Sequence, residues 1–377
     1  MTNREQMSQN AFLHMGLTGR AAIGLLLAVS AGIFLAGSSE PKDRKAPLRL
    51  NDIAVVGTHN SYKRAMPAAT MARLRKSDPA SADALDYAHR SLHQQLDAGA
   101  RQLELDVNYD PRGGHYAAGS RDPKLQHPGF KVLHMPGIDN ASSCVLLTEC
   151  LRIIRRWSDA HPHHVPILLL FNAKDERNAN RGGIDALPFD EAAYDALDAE
   201  IRSVLPPRKL VTPDDVQGRF PTLREAVLAN NWPTVSASRG RFLFALDESP
   251  AKVAIYRGNR SSLEGRVFFI NTDENSPAAA YLTLNDPLGD AARIRRDVAA
   301  GFLVRTRADA DTREARRGET TRRDAALASG AQYVSTDYLW PDARFRDAYR
   351  VRQPGGVVAR CNPVRRPAGC ADLEAAH

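Results

Sequence analysis

Two histidines, a closely spaced pair of carboxylates and a set of amides and cations form the reactive inventory of this chain. His59 closes the run IAVVGTH, and His134 closes KVLH. Glu104 and Asp106 lie in LELDVN at an i, i+2 spacing. On a strand that spacing puts both on one face, with Leu103, Leu105 and Val107 on the other. Asn60 follows His59, Asn172 and Lys174 share a face of ILLLFNAK, Arg305 and Arg307 share a face of FLVRTR, and Asp337 follows VST. Two imidazoles suit a base and an acid at opposite ends of one displacement. The oxygens of Asn60, Glu104, Asp106 and Asn172 suit a hard cation, Ca2+ or Mg2+. Lys174, Arg305 and Arg307 suit a phosphate and an anionic transition state. Together these residue types point to phosphoryl transfer.

Elements must bring those residues together. Eight β-rich runs recur, at 53–59, 101–107, 131–134, 166–174, 241–247, 266–271, 301–308 and 331–338. Helical patterns separate them; in VLLTECLRIIRRWSDA, Leu146, Cys150, Ile153, Ile154 and Trp157 fall on one face. Alternating β and α predicts a parallel sheet under helices, and eight strands predict a (β/α)8 barrel with its chemistry at the strand C-terminal ends. A doubly wound open sheet is the alternative, but no Gly-rich phosphate loop follows the first strand. A structural reading pairs the arginines with the carboxylates and leaves each histidine as a hydrogen-bonded strand end. So many polar groups at one mouth argue for chemistry, since an unpaired charge in a barrel interior costs several kcal/mol or more.

The chain has 377 residues, 43% hydrophobic and 25% charged, which excludes a disordered polymer, a coiled coil and a multi-spanning membrane protein. Its net charge of +7 fits attraction to an anionic surface such as acidic phospholipid. No nucleic-acid motif accompanies it, so no nucleic-acid partner is expected. The apolar run Ala21–Gly37 follows a basic flank and precedes small residues. Residues 1–38 therefore read as a signal peptide or an uncleaved N-terminal anchor, with a linker at 39–49. Either form predicts export: secreted, periplasmic or cell-envelope. In that compartment Cys144 with Cys150, and Cys361 with Cys370, read as two local disulfides, although crossed pairing also fits the sequence. The catalytic barrel is expected over 50–350 and a disulfide-pinned tail over 351–377. Arg177–Pro188, rich in Asn, Arg and Gly, reads as a long loop rather than a lid.

GTHNSY, ELDV, VLHMPGID with its following cysteines, PILLLFNAKD, LVRTRAD and AQYVSTDY together resemble the Ca2+-dependent phosphatidylinositol-specific phospholipase C-like family, of the phospholipase C-like phosphodiesterase barrel type. The resemblance spans about residues 50–345. It implies a metal-dependent phosphoric diester hydrolase in which His59 is general base, or stabilises the pentacoordinate phosphate, and His134 is general acid. It implies Asn60, Glu104 and Asp106 as metal ligands, Ca2+ as cofactor and a phosphatidylinositol-like lipid as substrate. An inositol hydroxyl would attack internally and give a cyclic phosphate. The family usually carries Glu where this chain has Asn172, so one negative charge of the ligand set is lost; Lys174 is retained. Another phospholipid or a glycerophosphodiester as substrate, or a silent headgroup-binding barrel, are the alternatives. The absence of H-R-G at the first strand counts against the glycerophosphodiesterase branch. Peripheral membrane contact is expected either through a rim of Tyr62, Met66, Met71, Tyr338, Leu339 and Trp340 or through basic charge.

Overall fold

Short apolar runs become eight parallel strands in the computed structural model, which describes residues 46–345, 347–368, 370 and 374–375. The expected leader at 1–38, and the linker up to residue 45, lie outside the described residues. The strands are β1 (Ile53–Thr58), β2 (Gln102–Asn108), β3 (Ile167–Lys174), β4 (Phe242–Leu246), β5 (Phe268–Ile270), β6 (Tyr281–Thr283), β7 (Leu303–Arg307) and β8 (Tyr333–Thr336). Each pairs in parallel with the next through β5, and β6 continues the ring through β7 and β8 back to β1. A single parallel bridge, Asn271 to Tyr281, joins β5 to β6. The result is the expected (β/α)8 barrel.

Two strands differ from the sequence reading. KVLH is not a barrel strand. Only Lys131–Val132 is extended, and it pairs antiparallel with the end of β2, Val107 opposite Val132. A parallel return needs a crossover, usually a helix. The chain between Asn108 and Lys131 holds only a 3-10 turn at Pro123–Gln126, so it folds back as a hairpin instead. The missing barrel strand is β6, only three residues long in AAAYLTLND and too short to read as a periodic run.

The ring is tightest on one side and splayed on another. β2 and β3 stay in register from Gln102–Leu168 to Asn108–Lys174, whereas β1 and β2 share a single ladder pair, Thr58–Leu103. A strand from outside the eight, β9 (Val357–Cys361), fills that gap. It runs antiparallel to the first half of β1, pairing Ile53 with Cys361 and Val55 with Ala359. It satisfies a strand edge left open where the barrel splays. Part of the segment expected as tail therefore belongs to the sheet. Cys361 pairs with Cys370 at a Cα separation of 6.0 Å, and Cys144 with Cys150 at 5.3 Å.

Three short helices separate β1 from β2: α1 (Ala68–Ser77), α2 (Pro79–Leu85) and α3 (Leu92–Asp97). Asp78 caps α2 by accepting from the Ser81 amide, and Ser91 caps α3 by accepting from the Gln94 amide. α4 (Leu147–Ala160) buries Leu147, Cys150, Leu151, Ile154 and Trp157, close to the stripe the sequence predicts. Trp157 Nε1 donates to Asp97 Oδ1 at 2.7 Å and ties α4 to α3. Among the described residues no helix is long and apolar enough to cross a membrane.

Gly57 lets β1 pass the Gln102 side chain: a Cβ there would lie 2.4 Å from both Gln102 Cβ and its carbonyl oxygen. Gly57→Val is expected to cost about 3 kcal/mol through overpacking. Calorimetric melting checks this; an unchanged Tm would remove the close-approach argument.

Candidate active site

β1 ends in a turn that fixes three functional groups at once. Asn60 adopts a left-handed backbone, φ 46°, which Asn tolerates better than most side chains. The turn is locked to β2 in both directions: the Ser61 amide donates to the Glu104 carbonyl at 2.9 Å, and the Glu104 amide donates to Ser61 Oγ at 2.8 Å. His59 and Asn60 are thereby set beside the carboxylate of Glu104, and His59 Nε2 lies 3.8 Å from Glu104 Oε1.

His59 is oriented from behind. Its Nδ1 lies 2.8 Å from Asp337 Oδ1, just past β8. A carboxylate only accepts, so the proton sits on Nδ1 and the free base of the neutral imidazole is Nε2. Arg307 NH2 donates to the other oxygen of Asp337 at 3.1 Å. Burial, followed by the charge of Arg307, holds the His59 pKa well below 6.5. Burial pushes Asp337 up, and Arg307 counters it. Asp309 Oδ1 accepts from the Asp337 amide at 2.8 Å and fixes the strand end. Tyr87 completes the wall: its hydroxyl accepts from Asn60 Nδ2 at 2.9 Å and lies 3.3 Å from His59 Nδ1.

His134 repeats this arrangement from a different element. It sits on the loop after the Lys131–Val132 hairpin strand, with Nδ1 3.0 Å from Asp139 Oδ2. The same oxygen is 2.5 Å from Lys63 Nζ, and Lys63 and Asp139 have no side-chain exposure. Burial pushes Asp139 up, but the His134 hydrogen bond and the Lys63 charge leave its pKa below the usual carboxylate value. Each histidine thus has a carboxylate partner, and each carboxylate is held by a buried or near-buried cation. The imidazoles themselves keep 18% and 17% of their side-chain surface exposed. Lys63 Nζ, bound to Asp139, also lies 5.3 Å over the Tyr87 ring, whose hydroxyl reaches His59, so the two dyads adjoin.

The remaining predicted residues divide into two groups. Lys174 and Arg307 stay partly open at the mouth. Lys174 Nζ lies 3.7 Å from Asp106 Oδ2 and 3.0 Å from Glu176 Oε1. It faces a cleft of about 270 Å3 shared with His134, Arg177 and Arg181. Arg305, expected to bind phosphate, and Asp337, expected in the substrate-binding set with Lys174, Arg305 and Arg307, both meet protein partners. Arg305 is 1% exposed and donates to Glu104 Oε2 at 2.6 Å, while Asp337 is taken up by His59 and Arg307. The expected apolar rim is corrected. Tyr62, Met66, Met71, Tyr338 and Leu339 are buried, and of that set only Trp340 is half-buried. The Arg177–Pro188 segment packs as a loop, with the Ile184 amide donating to the Pro136 carbonyl at 2.8 Å beside His134.

The donor chemistry of Asn60, Glu104, Asp106 and Asn172 fits a hard divalent cation: two carboxylates and two amide oxygens around one strand pair, with Asp106 in register with Asn172. Asn60 Nδ2 points to Tyr87, which leaves its Oδ1 for a ligand. Glu104 is already engaged on both oxygens, by Arg305 and by Asn172 Nδ2 at 3.2 Å. Among the described residues no group of three or more His, Cys, Asp or Glu stands together as a metal cluster. Asp139, Lys63 and Tyr87 escaped the sequence reading. Asp139 was visible only as a carboxylate five residues past His134, and the other two reach the site through the long segment after β1.

Residues 48–363 match the model of the family described as phosphoinositide phospholipase C, Ca2+-dependent. An uncharacterized protein of Mycobacterium tuberculosis, found in two strains, is 32% identical over 139 residues, 36% of this chain. That match spans about a quarter of the relative's length, 24%. Among solved structures, a calcium-dependent phosphoinositol-specific phospholipase C of a Gram-negative Pseudomonas species, in a myoinositol complex, shares the fold. It is 21% identical with a TM-score of 0.53, over 84% of this chain and 96% of that one. A second crystal form of that enzyme gives 20% identity and a TM-score of 0.52, over 83% and 95%.

Proposed function

Because the chain belongs to the Ca2+-dependent phosphoinositide phospholipase C family, we propose that it is a phosphoric diester hydrolase of phospholipase C type acting on phosphatidylinositol-like lipids. The observation that carries this reading is the pair of His–Asp dyads at one mouth. His59, neutral and with its proton held on Nδ1 by Asp337, takes the proton of an inositol hydroxyl at Nε2 as the new O–P bond forms. His134, with Nδ1–H toward Asp139, gives the Nε2 proton to the diacylglycerol oxygen as the old P–O bond breaks. The first product is a cyclic inositol phosphate and a free diacylglycerol. Internal attack places nucleophile and phosphorus in one molecule, which replaces the entropy cost of an external nucleophile. Lys174 and Arg307 supply positive charge at the mouth for the phosphoryl oxygens. Asn60, Glu104, Asp106 and Asn172 are the residues that would hold a Ca2+ or Mg2+ ion, which when bound lowers the pKa of the attacking hydroxyl and neutralises a phosphate oxygen.

The protein works outside the cytoplasm in this reading, where two disulfides persist. It meets its lipid by charge rather than by an apolar wedge. Arg64, Arg73 and Lys76 are exposed on the β1–α1 segment that leads from His59, and each basic side chain near an anionic surface contributes about 1 kcal/mol.

Two measurements test these readings. With a nitrophenyl phosphodiester of inositol, whose leaving group needs no proton, His134→Ala and Asp139→Asn should lose far less kcat than with the lipid. His59→Ala should lose on the order of a hundredfold or more with both. Equal losses at His134 on both substrates would remove its role as acid. Co-sedimentation should rise with the acidic lipid content of vesicles and fall in Arg64→Ala/Arg73→Ala/Lys76→Ala; binding that ignores lipid charge would overturn the electrostatic contact.

A further inference from the structure

Arg305 is a buried cation that the proposed chemistry does not use. It enters from β7, 1% exposed, and meets Glu104 Oε2 at 2.6 Å and Asn285 Oδ1 at 2.5 Å. Asp247 Oδ2 lies 3.9 Å away on its other side. The two terminal nitrogens of Arg305 are thus both engaged by protein oxygens. Glu104 is at the same time the carboxylate around which the hard-oxygen donors gather. Its second oxygen accepts from Asn172 Nδ2, a neutral amide that adds no charge to the donor set. Asp106, the other carboxylate, faces Lys174 Nζ at 3.7 Å. Each of the two negative charges of the donor set therefore faces a protein cation before any ion arrives, Lys174 being shared with Glu176 and Arg305 with Asp247.

A divalent ion would have to share Glu104 with the Arg305 guanidinium, whose charge repels it, and it would find one carboxylate fewer than a Glu at 172 supplies. Affinity of oxygen sites for Ca2+ follows ligand charge count over several decades. We propose that Arg305 is a built-in cation that competes with a divalent ion for Glu104, so that Arg305 and Asn172 together make this site a weak one. The inference rests on reading Asn60, Glu104, Asp106 and Asn172 as a cation-binding set, and it adds that the protein itself fills part of the demand for positive charge. Removing Arg305 leaves Glu104 buried with only an amide partner, a state that a bound ion then stabilises by mass action.

Calcium titration calorimetry on the full chain, with melting in EDTA and in Ca2+, tests this for wild type, Arg305→Met, Arg305→Lys and Asn172→Glu. Wild type and Arg305→Lys should bind weakly, with a Tm that Ca2+ barely moves. Arg305→Met should bind about tenfold tighter or more, as should Asn172→Glu. Its Tm should be depressed in EDTA and recover in Ca2+. If Arg305→Met folds in neither condition, Asn172→Glu decides: no tightening overturns the charge-balance account. Tight binding by wild type, unchanged in Arg305→Met, overturns the role of Arg305 and leaves the cation set standing. No binding by any of the four overturns both.

Discussion

One buried carboxylate, Asp337, fixes the His59 imidazole at the end of β1. It stands between the His59 imidazole at 2.8 Å and the Arg307 guanidinium at 3.1 Å. An isolated carboxylate at 4% exposure would be costly, and so would an imidazolium in the same place. The arrangement that avoids both costs is a neutral imidazole donating from Nδ1 to an anion that Arg307 balances. Its consequence is an Nε2 that carries no proton and lies 3.8 Å from Glu104 Oε1. The sign of the linkage follows. The folded pKa of His59 lies below its unfolded value, so the native state binds fewer protons between the two. The associated stability is complete above about pH 6.5 and is lost as the pH falls through the folded pKa.

The second dyad solves the same problem with other parts. Asp139 is anchored by Lys63, which comes from just past β1, while His134 comes from the loop that follows β2. The two histidines are thus tied to each other through the segment that carries Asn60. Backbone links between the Arg64 amide and the Ala141 carbonyl, and between the Ser143 amide and the Tyr62 carbonyl, reinforce that tie. Cys144–Cys150 then fastens the far end of the loop to α4. The rigidity of the site therefore comes from two loops bound together over a barrel rim, not from the barrel alone.

Much of this was legible in the chain. LELDVN put two carboxylates on one face because a strand has a period of two, and the structure sends Glu104 inward to His59, Asn172 and Arg305. The helical stripe through Cys150, Ile154 and Trp157 was legible for the matching reason. KVLH misled because four apolar-rich residues carry no sign of whether they run parallel or antiparallel. YLT went unread because three residues hold less than two periods. Asp139, Lys63 and Tyr87 were out of reach for a different reason: each is defined by a tertiary partner, and neither spacing nor propensity records that partner. The inward arginines were found by pattern, but whether they meet substrate or protein depended on burial, which only the fold supplies.

The proposed chemistry requires a neutral, Nδ1-protonated His59. Nitrogen NMR of 15N-histidine-labelled protein, titrated over pH and assigned with His59→Gln, reads both tautomer and pKa. The account predicts a His59 resonance that titrates below 6.5 with its proton on Nδ1, and a loss of that tautomer preference in Asp337→Asn. A His59 that is protonated at pH 6.5 and above, or neutral with its proton on Nε2, would contradict it.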